Sequence, residues 1–98
     1  MVIRRTKARS LGDIIGEYLE DSGLKTRLKE RELVRLWDEV AGGMIARSTQ
    51  SVYVRQRKLF VIVRSAVIRN ELMMIRGALK EELNRRVGAA LIDEIVIR

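Results

Sequence analysis

The sequence predicts an α+β fold, with helices packed on one face of a small three-stranded sheet in the order α-α-β-β-α-β. Two observations support this prediction. Apolar residues recur with the period of a helix in three segments, whereas in the middle of the chain their period changes to two, as in a strand. With 98 residues, of which 47% are hydrophobic, the chain is long enough for one domain with its own core.

The first helix is predicted to cover about residues 11–21. Ser10 and Asp13 have the spacing of a capping box, in which each side chain bonds the backbone of the other residue. Gly23 is typical of the left-handed residue that ends a helix. The apolar residues at helical spacing are Leu11, Ile14, Ile15, Tyr18 and Leu19.

The second helix is predicted to begin at a cap on Thr26 and to end at the Gly42-Gly43 pair. Trp37 lies on its apolar face. We therefore interpret this side chain as part of the core, rather than as a platform for a nucleic-acid base. The apolar face consists of Leu33, Leu36, Trp37 and Val40.

A β-hairpin is predicted after Ser48, where the apolar period becomes two. In its strands Val52, Val54, Leu59, Val61 and Val63 alternate with Tyr53, Arg55, Phe60, Ile62 and Arg64. The turn, near residues 55–58, lacks the Gly, Asn and Asp residues that favour positive φ angles in short hairpin loops. We therefore expect either a longer turn or a strained one.

A long helix is predicted from a cap on Ser65 to Gly88. Gly77 lies inside this helix and indicates either close backbone packing or a bend. A final strand within residues 91–98 is expected to pair beside the hairpin. The core-facing residues of the long helix are predicted to be Ile68, Leu72, Ile75, Leu79, Leu83 and Val87.

Basic residues are concentrated between residues 44 and 80, where eight Lys and Arg side chains accompany one acid, Glu71. This segment accounts for the whole net charge of +7. Residues 1–9 are expected to form a flexible basic arm before a single domain of residues 10–98. Such a charge distribution predicts contacts with nucleic-acid phosphates. The candidate nucleic-acid-binding residues are Arg4, Arg5, Lys7, Arg9, Arg55, Arg57, Lys58, Arg64, Arg69, Arg76 and Lys80.

Tyr53, Phe60 and Ile62 are expected on the face of the sheet opposite the valines. If the helices cover the valine face, these three side chains form an exposed apolar patch. Such patches mark partner-binding surfaces, and aromatic residues often dominate them. The alternative is that the first helix or the N-terminal arm folds over this face.

The sequence contains neither cysteine nor histidine, which excludes thiolate and imidazole chemistry and zinc or iron–sulfur ligation. Adjacent acids such as Asp38-Glu39 point about 100° apart on a helix, so they cannot hold one ion from a single face. We expect no catalytic residue, no metal and no cofactor. No apolar run approaches the roughly 20 residues that span a bilayer, and we expect a cytoplasmic, nucleoid-associated protein that does not bind membranes.

Several short motifs follow one another between residues 33 and 88. They are Leu33-x-x-Leu36-Trp37-x-x-Val40-Ala41-Gly42, Ile45-Ala46-x-Ser48-Thr49, Leu59-x-Val61-x-Val63-x-Ser65-Ala66, Arg69-Asn70-Glu71-Leu72, Leu83-Asn84 and Gly88. In their order and spacing these motifs resemble the bacterial DciA-like family, over about residues 10–98. The predicted architecture is also similar to that of K-homology domains.

The resemblance implies a non-enzymatic accessory protein with a K-homology-like domain, which binds DNA and assists loading or operation of the replicative DnaB-type helicase. The expected partners are thus DNA, bound through phosphates without sequence preference, and the replicative helicase. Two alternatives stay open. One is a K-homology-like RNA-binding protein, because phosphate contacts do not distinguish the two polymers. The other is a protein–protein adaptor whose charge only keeps it soluble. The oligomeric state is not predicted.

Overall fold

The element order confirms the predicted α+β class. The structure is a computed structural model that describes residues 10–15 and 23–98. Residues 11–15 are helical. The later elements are α1 (Leu24–Ala41), α2 (Gly43–Ser48), β1 (Thr49–Arg55), β2 (Lys58–Val63), α3 (Ala66–Val87) and β3 (Glu94–Ile97). The predicted basic arm and the remainder of the predicted first helix lie outside the described residues.

The three strands form one mixed sheet in the order β1-β2-β3. β1 and β2 form an antiparallel hairpin, and β3 runs parallel to β2. A parallel neighbour needs a long crossover connection, which the 22 residues of α3 provide. Tyr53 lies opposite Phe60 in the hairpin, and Phe60 lies beside Val96 of β3. The likeness of this architecture to K-homology domains stays a prediction.

The core lies between one face of the sheet and the helices α1 and α3. Trp37 is fully buried, which confirms its interpretation as a core residue. Its indole N–H donates to Thr49 Oγ1 at 3.1 Å, and the Thr49 hydroxyl donates to the Ile45 carbonyl at 2.8 Å. The polar edge of the indole is therefore satisfied inside the core. Other fully buried side chains are Leu33, Leu59, Val61, Leu72 and Leu83.

Two of the predicted helix caps are confirmed. The backbone N–H of Asp13 donates to Ser10 Oγ at 3.0 Å, and the N–H of Ser10 donates to Asp13 Oδ2 at 3.4 Å. Ser65 caps α3, because its Oγ accepts the N–H of Ile68 at 3.2 Å. Gly88 ends α3 in the left-handed conformation, with φ 75°.

The start of α1 and the loop after it differ from the prediction. Thr26 is not a cap, because α1 already begins at Leu24, directly after Gly23 with φ 76°. The positive φ of Gly23 sets the direction of the chain at this point, so no capping side chain is needed. Gly42, with φ 94°, ends α1 as predicted, but α2 follows at once and was not expected.

One residue of the predicted core face of α3 is exposed. Ile68, Leu72, Leu79, Leu83 and Val87 are buried, whereas the side chain of Ile75 is 41% exposed. Ile75 lies beside α2, in an open depression that Met44 and Val67 also line. Because α2 has only six residues, it is too short to cover Ile75. The prediction for this residue was wrong.

The hairpin turn is short and strained. Arg55 pairs with Lys58, so the loop contains only Gln56 and Arg57. Both have positive φ, 51° and 62°, although neither is a glycine or an asparagine, the residues that adopt such angles most easily. Of the two expected turns, the strained one is confirmed. Arg57 is held in place by a bidentate pair with Asp93, at 2.8 and 3.1 Å, in the loop between α3 and β3. We infer that this contact offsets part of the strain.

An ionic network joins α3 to α1. Glu82 accepts hydrogen bonds from Arg85, at 2.5 and 3.0 Å, and from Arg86 at 2.8 Å. Arg86 also pairs with Glu39 of α1 at 2.5 Å. The hydrogen bonds from Arg85 and then from Arg86 lower the pKa of Glu82 from 4.5 to about 2. Ionised Glu82 is therefore favoured by the folded state.

The depressed pKa of Glu82 predicts a pH-dependent contribution to stability. This contribution is fully present above pH of about 4.5 and is lost as the pH falls towards about 2. Glu82→Gln should therefore be less stable than the wild type near neutral pH, with a difference that shrinks between those two values. Urea denaturation at several pH values measures it. Glu71→Gln, at an exposed acid, is the matched control, and an equal pH-dependent difference for both variants would contradict the role of the network.

Candidate nucleic-acid and partner surface

The side of the sheet that faces away from the helices, here called the outer face, carries three rows of side chains. Two rows cross all three strands and the third ends directly after β3, because residues paired in register point to the same side of a sheet. The first row is Arg55, Lys58 and Glu94, and the second is Tyr53, Phe60 and Val96. The third row is Ser51, Ile62 and Arg98, since the backbone of Arg98 bonds Val61 and Val63 on either side of Ile62.

Aromatic and aliphatic side chains occupy the middle of the outer face. The rings of Tyr53 and Phe60 are stacked, with centroids 5.0 Å apart and planes 7° from parallel. Tyr53 is 40% exposed, and Phe60, Ile62 and Val96 are half-buried. The structure thus brings the three predicted partner-binding residues together in one apolar strip.

The described part of the first helix does not bury its own apolar residues. Leu11, Ile14 and Ile15 are all exposed. The first helix was one of the two covers proposed for the outer face, and its residues 11–15 are not observed to cover that face. The other proposed cover, the N-terminal arm with Arg4, Arg5, Lys7 and Arg9, lies outside the described residues.

Cations flank the apolar strip at both ends. Arg55 and Lys58 stand at the turn end, and Arg64 follows Ile62 at the opposite end, where one of its N–H groups donates to the Arg47 carbonyl at 2.9 Å. Arg98 lies there too, with its guanidinium carbon 5.6 Å from the centroid of the Phe60 ring. The sequence prediction missed Arg98. The signal was available, since strand alternation places residue 98 on the same side as residue 96.

Arg57 is not part of the outer face. Besides its pair with Asp93, its Nη2 donates to the Ala90 carbonyl at 2.8 Å. The hydrogen bond to Asp93 and then its charge raise the pKa of Arg57, and the same pair lowers the pKa of Asp93. This predicted phosphate ligand is already engaged with a carboxylate, which would compete with any phosphate for it.

The three predicted cations of α3 have local partners or acidic neighbours. Arg69 is half-buried and donates to the Val63 carbonyl at 3.1 Å, and Lys80 pairs with Glu81 at 3.1 Å. Arg76 is exposed, but together with Lys80 it lines an open depression that Asp93 and Glu94 also line. Glu94 adjoins both basic surfaces, since it also belongs to the first row of the outer face. Asp93 and the ion-paired Glu81 reduce the positive potential beside α3, whereas no ion pair within the described residues engages Arg55, Arg64 or Arg98, so the outer face is the less compensated of the two.

A second exposed apolar surface was not foreseen. Met44 of α2 and Val67, Met74 and Ile75 of α3 are all exposed. The signal was the helical spacing of residues 67, 71, 74, 75 and 78, which defines a face of α3 that adjoins its buried face at Ile75. Glu71 also lines the depression beside these residues.

Two kinds of site are not found in the described part of the chain. Within residues 10–15 and 23–98, no three acidic side chains are grouped closely enough to hold a metal ion. Among the same residues, no helix combines the length and the apolar character needed to cross a membrane.

The fold and the outer face define a small basic α+β domain whose sheet presents an aromatic strip between cations. The model of the family described as Dna[CI] antecedent, DciA, matches residues 10–97, and the chain belongs to this family. It is also similar to a UPF0232 protein of Corynebacterium glutamicum (strain R), with 24% identity over 90 residues. The match covers 92% of this chain and 51% of that relative, so the chain spans about half the length of the relative.

Proposed function

We propose that this domain is a non-enzymatic DNA-binding accessory of the replicative DnaB-type helicase, and that it assists the loading or operation of the helicase. Membership of the DciA family supports the connection to the helicase. The observation that supports DNA binding is the outer face, where stacked aromatic rings lie between two groups of cations. This role places the protein in the cytoplasm, at the nucleoid.

The outer face has the two parts that proteins use to bind single strands. Aromatic rings provide stacking surfaces for bases, each worth about 1–3 kcal/mol. Tyr53 is the exposed ring of the strip, and the half-buried Phe60 stacks against it. The cations at either end of the strip are positioned to contact successive phosphates. Neither part reads the edges of bases, so binding would be tolerant of sequence and would depend strongly on salt.

Docking of the helicase on the same strip is a second candidate function. Tyr53, Phe60, Ile62 and Val96 form a contiguous apolar strip, and aromatic residues of this kind dominate many protein interfaces. DNA and helicase would then compete for one surface or use it in turn.

One double variant tests both candidates. Tyr53→Ala with Phe60→Ala removes the stacked rings but leaves the core and the flanking cations in place, so the fold should persist. We expect its affinity for an unstructured oligodeoxynucleotide to fall by about tenfold or more, as the loss of one or two stacking contacts implies. Fluorescence anisotropy measures this affinity, and capture of the purified helicase after nuclease treatment measures the second function.

The outcomes separate the candidates. Lost DNA binding with retained capture assigns the strip to DNA, and the reverse result assigns it to the helicase. Tighter binding of an oligoribonucleotide of the same sequence would favour the RNA-binding alternative. If the wild type binds no oligonucleotide at low salt but captures the helicase, the domain is an adaptor and the DNA-binding proposal is wrong.

A further inference from the structure

An open groove runs between α1 and β1, along the edge of β1 that has no neighbouring strand within residues 10–15 and 23–98. Its volume is about 430 Å³. Apolar side chains of Val34, Val52 and Val54 line it, and three arginines of α1, Arg27, Arg31 and Arg35, line it as well. Val52 and Val54 point to the helix side of the sheet, whereas Tyr53 of the outer face borders the groove at the edge of β1, so the groove and the outer face adjoin but open on different sides of the sheet.

The backbone of β1 offers hydrogen-bonding groups to this groove. In an antiparallel pair, opposite residues alternate between bonded and non-bonded pairs, and the pair that closes a two-residue turn is bonded. Arg55 closes the turn with Lys58, so the bonded residues of β1 are Arg55 and Tyr53. Val61, opposite Val52, uses its carbonyl for the N–H of Arg98 on the far side of β2.

The N–H and C=O groups of Val52 and Val54 therefore point away from β2, towards the groove. No other described residue bonds them. An unpaired strand edge of this kind is a template for an added strand, a recurring way of binding extended peptides.

The charge of the groove indicates what kind of strand fits. Arg27, Arg31 and Arg35 are spaced four residues apart, which places them along one face of α1. All three are exposed, and no ion pair within the described residues engages their guanidinium groups. Glu30 is the acid in the lining, so the groove keeps an excess of positive charge.

This charge disfavours two potential occupants from the chain itself. Residues 1–9 carry Arg4, Arg5, Lys7 and Arg9 and no acid, so arginines would repel them. A second copy pairing its own β1 edge would bring two sets of α1 arginines together. We propose that the groove binds an acidic, extended peptide of a partner protein, which adds to β1 as a fourth strand. Its apolar side chains contact Val34, and its carboxylates contact Arg27, Arg31 and Arg35.

The test uses a capped heptapeptide with glutamate at positions 1, 5 and 7, valine at position 3 and threonine elsewhere, because alternate side chains of a strand share one face and only that face meets Val34 and the arginines. Either direction of the peptide can place its carboxylates beside the arginines. Binding should slow hydrogen exchange of the Val52 and Val54 amides, as measured by NMR, because these amides gain carbonyl partners. The double variant Arg31→Glu, Arg35→Glu changes only exposed helix positions, and it should weaken binding by about tenfold or more, since each charge-assisted bond becomes a repulsion.

Matched controls isolate each part of the proposal. Arg47→Glu with Arg76→Glu changes the net charge equally but lies outside the groove, and should retain peptide binding. A peptide with lysine in place of glutamate, or one N-methylated at alternate residues, should not bind. Substitution of the outer-face residues Arg55, Lys58 and Arg64 should also leave peptide binding intact, so failure of the DNA-binding proposal would not affect this one.

Three results would overturn the inference. Peptide affinity that is unchanged by Arg31→Glu, Arg35→Glu or by N-methylation would show that the groove is not used. An oligonucleotide that displaces the peptide and itself protects the Val52 and Val54 amides would make the groove a nucleic-acid site. Protection that rises with protein concentration in the absence of peptide would make it a dimer interface.

Discussion

Trp37→Ala should lower the free energy of unfolding by about 3–5 kcal/mol, as large-to-small aromatic changes in cores do. The whole stability of a domain of this size is about 5–15 kcal/mol, so the variant is expected to be partly unfolded at physiological temperature. The reason is the position of Trp37, which is fully buried between α1 and the sheet. Thermal melting followed by circular dichroism measures the effect.

A second substitution separates packing from hydrogen bonding. Trp37→Phe keeps most of the ring but removes the indole N–H that donates to Thr49 at 3.1 Å. The Thr49 hydroxyl still donates to the Ile45 carbonyl, so no buried donor loses its partner. The free energy of unfolding should therefore fall by nearer the value of one hydrogen bond, about 1 kcal/mol, plus a small loss of packing. Unchanged melting of Trp37→Ala together with lost DNA binding would instead make Trp37 a stacking residue and reject its place in the core.

The parts of the fold that follow from local pattern could be predicted from the sequence. The Ser10–Asp13 box, the Ser65 cap and the left-handed Gly88 each depend on residues within a few positions of one another. The burial of Trp37 and the alternation of the hairpin follow from period alone. These features required no knowledge of distant contacts.

Two features that local pattern did not decide have tertiary causes. Ile75 fits the helical period of the core face, but whether it is covered depends on the length of α2, which no pattern indicated. The two-residue turn lacks favourable residues, and the pair between Arg57 and Asp93, 36 residues apart, holds it. Contacts of such separation are invisible to local periodicity.

The sequence predicted which residues contribute to the candidate site better than it predicted how those residues are arranged. The basic segment and the aromatic residues were identified separately, one for DNA and the other for a partner. Only the register of the three strands shows that Tyr53 and Phe60 lie between Arg55 and Lys58 on one side and Arg98 on the other. Arg57 was grouped with its neighbours in sequence, although its side chain turns towards Asp93.

Removal of the outer-face cations is expected to change the salt dependence of DNA binding. In the triple variant Arg55→Ala, Lys58→Ala, Arg64→Ala, three phosphate contacts are lost. Each contact with a single strand contributes about 0.7 to the slope of log affinity against log salt concentration, so the slope should flatten by about 2 units. The affinity itself should fall most at low salt. These residues lie outside the core, and thermal melting should confirm that the fold is kept.

The matched control removes the same charge from α3, through Arg69→Ala, Arg76→Ala and Lys80→Ala. Lys80 is paired with Glu81, Asp93 lies beside Arg76 and Arg69 is half-buried, so their loss should change the slope by less than 1 unit, about one contact.

The most direct test of DNA binding on the outer face is therefore fluorescence anisotropy of a labelled single strand across a salt series, with the wild type and both triple variants. We expect a steep wild-type slope that the outer-face variant flattens and the α3 variant largely keeps. A wild-type slope retained by the outer-face variant but lost in the α3 variant would place DNA along α3 and contradict the account.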